Sequence, residues 1–132
     1  MCQVGDIILI EKYKHGGQDI GRHSFVVIED EQGKIKGATY DMMCNVLSSF
    51  KSKEQREKKL GYPGNFEIVP DNVNVLHGNQ KSGYIKADQI YYFAKDSIIY
   101  RKLGEITEET LGELLDFIEL GNFELIDIIE NL

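Results

Sequence analysis

Residues 21–30 read GRHSFVVIED. The central run Phe25-Val26-Val27-Ile28 is short, β-branched and closed by acids, which predicts a core strand. Its entrance sets Arg22 beside His23, a phosphate-gripping cation beside a group that titrates near neutral pH. Upstream, VGDIILI (4–10) predicts a first strand, apolar nearly throughout and so buried on both faces or built into a barrel wall. Between the two, EKYKHGGQDIG (11–21) is expected to be a polar, mobile loop, with Gly16-Gly17 supplying backbone freedom.

Downstream, DEQGK signals a turn into a long, irregular third strand, IKGATYDMMCNVLSS, where Gly37 suggests a bulge or sharp bend. KSKEQREKKL (51–60) predicts a short exposed helix stopped by GYPGN. FEIV (66–69), YIKADQIYYFA (84–94) and DSIIYRKLG (96–104) add β-forming segments around an Asn-rich stretch. From Thr107 the period becomes helical: Thr107 suits the N-cap, Ile106 can staple onto Leu111, and Leu111, Leu114, Leu115 and Ile118 share a face. Gly121 ends that helix, and NFELIDIIENL is expected to form a second, acidic one, so that helices span 107–132. The chain of 132 residues therefore reads as one mostly β domain, a small, strongly curved barrel with terminal helices.

Composition narrows the class. No apolar run approaches the ~20 residues that span a bilayer. The opening MCQVGDIILIEKYK lacks a basic stretch followed by a long apolar one, and Cys2 and Cys44 form neither a disulfide framework nor a metal-ligand spacing, so a cytoplasmic protein with reduced thiols is expected. The net charge of −7 argues against a nucleic-acid partner until it is divided along the chain. All 15 Lys and Arg lie in residues 1–102 against 13 acids, while residues 103–132 hold 9 acids and neither basic type. The acidity belongs to one end. Lys51, Lys53, Arg56, Lys58 and Lys59 form a basic cluster, either a solvated helix face or an edge that meets a polyanion.

If the second and third strands pair as a hairpin, Arg22-His23 and Ser48-Ser49 fall at the same end of the sheet. Cleaving RNA without a metal requires a base for the 2′-hydroxyl, donors for the phosphoryl oxygens and an acid for the departing 5′-oxygen. His23 can serve as base or acid, Arg22 can clamp a phosphate, Ser48 and Ser49 supply hydroxyls, and Lys51 adds charge. His77 and Lys53 are further candidates for phosphate contact. The same residues more often make up a solvated strand edge, and composition and spacing alone leave catalysis the lesser reading. His15, His23 and His77 lack metal-ligand spacing, so no metal or other cofactor is expected.

In order along the chain, VGDIILIE, GRHSFVVI, LSSFK, YPGNFEI and GYIKADQIYYFAKDSIIYRKLGEITEETLGELLDFI resemble the MazF/PemK (Kid-like) toxins. The resemblance spans about Val4 to Leu120, with GDI and ADQI its most specific parts. It implies an SH3-like barrel that dimerises. It also implies a metal-independent endoribonuclease that cuts single-stranded RNA, often mRNA, to a 2′,3′-cyclic phosphate and a 5′-hydroxyl, and a cognate antitoxin. Members usually carry Arg-Pro before the second strand and Thr or Ser at the end of the third. Aligning the apolar runs puts His23 at the arginine position, Arg22 one place earlier, Ser24 in place of proline and Ser48 at the Thr/Ser position. Either Arg22 swings in as the arginine, or His23 becomes the acid/base with Arg22 as clamp, or the activity is altered. Tyr62 and Phe66 suit stacking on bases or packing on the barrel. Asp88 is expected to be structural, and Tyr91, Tyr92 and Phe93 to fill the core and the dimer face. A non-catalytic barrel that clamps a protein partner is the alternative.

Overall fold

The computed structural model describes residues 2–75 and 82–132. Its first strand, β1 (Asp6–Ile10), is followed by a hairpin of β2 (Tyr13–His15) and β3 (Gln18–Ile20), then by β4 (His23–Glu29). A second small hairpin, β5 (Gly33–Ile35) and β6 (Ala38–Tyr40), precedes the long β7 (Met42–Ser49). Helix α1 (Lys53–Leu60) leads into β8 (Asn65–Ile68) and β9 (Val73–Val75). The chain resumes with β10 (Gly83–Lys86), β11 (Gln89–Phe93), β12 (Tyr100–Ile106), α2 (Glu108–Leu120) and β13 (Ile126–Ile128).

Among the described residues, nine strands form one curled half-barrel sheet in the order β13-β11-β7-β4-β1-β12-β9, with β10 pairing to β7 and β8. Alternation along β4 explains its unbroken apolar run. Phe25 and Val27 enter one cluster with Ile8, Ile10, Cys44, Val46, Tyr91 and Phe93. Val26 and Ile28 enter another, on the opposite face, with Ile7, Ile68, Ile85 and Leu114. The β2–β3 hairpin covers the first face through Tyr13, and α2 covers the second through Leu114. Tyr91 and Phe93 are core residues, as the aromatic content of that segment suggests.

Asn45 lies fully buried among these apolar neighbours. Its amide donates to the Lys86 and Gln89 carbonyls at 3.4 and 2.9 Å, the two ends of the break between β10 and β11. β10 and β11 both pair with β7, so one side chain covers backbone groups that the ladder leaves open at the bend. The backbone carbonyl of Asp88 accepts from the Ile126 amide at 2.7 Å.

Four expectations change. Residues 11–21 are an ordered hairpin, because Gly16 and Gly17 both take positive φ (61° and 78°) and form the two-residue turn that matches strand twist. Gly37 is not a bulge but, with Lys36, the tip of the β5–β6 hairpin; both have positive φ (83° and 48°). β4 does pair with β7, through that inserted hairpin rather than a single turn. The expected second terminal helix is absent, and Ile126–Ile128 instead adds as a parallel strand to the edge of β11. Its Ile-Asp-Ile alternation suits a sheet edge, placing Ile128 in the core. Helix α2 ends at Gly121 and buries Leu114, whereas Leu115 is exposed.

Candidate functional site

At one rim of the sheet, β4, β7 and β10 lie side by side. Register fixes what each presents: Ser24 opposes Leu47, and Tyr84 opposes Ser48. Continuing the β4–β7 register one step sets His23 opposite Ser48, on the face that also carries Tyr13 and Phe25. Ser24 alternates to the other face, and Arg22 precedes the strand. The doublet of the opening motif thus straddles the start of β4.

Both halves still reach one hollow, because it opens at the rim. It encloses about 530 Å³ and is lined by Arg22, His23 and Ser24 from β4 and its entrance, and by Leu47, Ser48, Ser49 and Lys51 from β7 and its exit. Leu9 and Tyr84 form its floor, and Gln55 and Lys59 reach in from α1. Among the described residues its lining holds three permanent cations and no carboxylate. Lys53 is exposed at the start of α1 and outside this lining, and His77 lies outside the described residues.

His23 is half-buried. The Tyr13 ring meets it edge-on, 6.0 Å between centroids and 88° between planes. Lost hydration, with a smaller push from the Lys86 charge, holds the imidazole below its ordinary value of 6.5, so it is neutral at pH 7. Arg22 is exposed, its Nε donating to Glu11 Oε2 at 3.1 Å. Ser48 is half-buried beside Tyr84, on which Phe50 stacks at 5.3 Å.

Local signals build the α1 side of the hollow. Ser52 caps α1 by accepting from the Gln55 amide at 3.1 Å, and Gln55 in turn accepts from the Lys51 amide. Arg56 is engaged elsewhere: its Nε and Nη2 donate to one Glu67 oxygen at 3.0 and 2.6 Å, fastening α1 to β8. The basic cluster is therefore divided, with Lys51 and Lys59 facing the hollow and Arg56 serving the fold. Phe66 packs edge-on against Phe117 at 5.3 Å, which removes it as a stacking surface, while Tyr62 remains exposed.

Tyr13, Tyr84 and Lys86 escape a reading by motif. Tyr13 lies in a segment read as loop, Tyr84 joins the rim through the β10 register, and Lys86, on the same strand, acts on His23 by its charge. Their alternation within GYIK is the signal that a strand assignment, once made, converts into a shared face.

The family comparison agrees with this architecture. Residues 3–120 match the model of the PemK-like, MazF-like toxins of type II toxin-antitoxin systems. No curated protein matches the chain.

Proposed function

Since the chain belongs to the PemK-like, MazF-like toxins, we propose that it is a metal-independent endoribonuclease that cuts single-stranded RNA, mRNA included, in the cytoplasm. Neutral His23 takes the proton of the 2′-hydroxyl as that oxygen attacks the adjacent phosphorus. Arg22 and Lys51 hold the non-bridging oxygens, and Ser48 and Ser49 donate hydrogen bonds to the charge that develops there. The imidazolium returns its proton to the departing 5′-oxygen, leaving a 2′,3′-cyclic phosphate and a 5′-hydroxyl. A homodimer extends the strand-binding surface, and a cognate antitoxin covers it.

The observation that supports this reading is the shared hollow: an imidazole whose pKa burial lowers, serine hydroxyls and three cations around one open space of about 530 Å³, roomy enough for a nucleotide and its phosphate. With His23 standing where the family resemblance puts an arginine, this reading gives the proton work to His23 and the clamp to Arg22.

The test incubates purified protein with end-labelled single-stranded RNA in EDTA. Fragments ending in cyclic phosphate are expected, with His23→Ala and Ser48→Ala each lowering the rate at least 100-fold (~10²–10⁴ for a positioned acid or base) while the fold survives. Full cleavage by the double variant refutes the site. Tight binding of a protein without RNA cleavage would instead favour the non-catalytic clamp.

A further inference from the structure

The last twelve residues lie beyond the stretch that carries the family match, yet they bond back to the N-terminal end of the chain. β13 brings Ile128 into the cluster that holds Tyr13 and Tyr91. Two side chains then close on the β2–β3 hairpin. Asn131 Oδ1 accepts from the Lys14 amide at 2.6 Å and its Nδ2 donates to the Lys14 carbonyl at 3.0 Å, the pair of bonds a neighbouring strand would make. Glu130 Oε1 accepts from the Gly16 amide at 2.6 Å and Oε2 from the Gly17 amide at 2.9 Å. The positive φ of both glycines lets their N–H groups converge on one anion.

A hairpin of two three-residue strands is marginal without such support. This one carries Tyr13, the ring that walls His23, and His15, whose Nδ1 shares a hydrogen bond with the Tyr91 hydroxyl. We propose that Glu130 and Asn131 are positioning residues: by strapping the glycine hairpin to the sheet they fix Tyr13 against His23 and so set the half-buried seat of the imidazole. The proposal rests on His23 as the acid/base.

The test uses the full chain with Glu130→Ala, the conservative Glu130→Gln, and Glu119→Ala as a charge control on the exposed face of α2. Gly16 and Gly17 amide exchange should quicken at least tenfold in Glu130→Ala and less in Glu130→Gln. The His23 titration followed by NMR should rise toward 6.5 in the same order, and kcat for RNA should fall several-fold with KM no higher. Glu119→Ala should leave all three unchanged. Unaltered glycine exchange in Glu130→Ala overturns the strap. Released glycines with His23 titration and kcat unmoved overturn the positioning role, and equal effects from Glu119→Ala reduce it to net charge. If the unaltered protein cuts no RNA, the nuclease reading fails, while exchange and titration still decide the strap.

Discussion

Replacing Glu11 with Gln should tighten the hollow's hold on RNA. Glu11 engages Arg22 at 3.1 Å, with the two side chains 37% and 63% exposed. In water-like surroundings Coulomb's law gives about 1.3 kcal/mol at that distance. Exposed pairs measured by mutant cycles contribute ~0.2–1 kcal/mol, because solvent screens them and two side chains must be held still. The lower range applies to so open a pair. Removing the carboxylate frees the guanidinium of a competitor, so affinity for a phosphodiester should rise about 1.4- to 5-fold. The freed cation should also steepen the slope of log K against log salt by up to about 0.7 for a single strand. Fluorescence anisotropy with a 2′-O-methyl RNA, which cannot be cut, measures both between about 50 and 200 mM salt. Unchanged affinity and slope, or weaker binding, would mean that Arg22 does not meet the phosphate.

The acid limb of the pH–rate profile should have its midpoint below 6.5, because burial and Lys86 hold His23 low, and His23→Gln should abolish it. The same shift affects stability: it contributes above the unfolded value of 6.5 and is lost as pH falls through the folded value, so melts of His23→Gln should fall less on acidification. Leu114→Ala, at a fully buried anchor of α2, should cost ~2–5 kcal/mol in urea unfolding. Gly83→Ala would drive a Cβ into the Ser48 carbonyl, push β10 off β7 and cost ~1–3 kcal/mol. Its cleavage rate, measured well below its melting temperature, should drop further than the stability change explains, because Tyr84 and Ser48 shift together.

Much of the fold is legible in local chemistry. The apolar runs 6–10 and 25–28, the Thr107 cap and the Gly121 stop each depend on neighbouring residues, and each stands where the pattern puts it, but of the Leu111, Leu114, Leu115 and Ile118 stripe, Leu115 turns to solvent. The errors share a cause. Gly16-Gly17 and Lys36-Gly37 were punctuation that fitted a loop or a bulge as well as a hairpin, and only the strands beside them select the turn. The segment 126–128 has enough apolar residues for a short helix; the open edge of β11 makes it a strand.

The candidate site divides in the same way. Sequence determined the inventory, an imidazole, a guanidinium, hydroxyls and a basic helix, because residue identity fixes what can donate, accept or titrate. Tertiary structure decided which members meet. The rim of the sheet brings Arg22, His23 and Ser48 to one hollow, and Arg56 is turned away to Glu67. Burial and the charge of Lys86, on a strand distant in the chain, lower the His23 pKa, while Tyr13 of the preceding hairpin walls the ring. Acid–base character is a property of surroundings, and surroundings exist only once the sheet has formed.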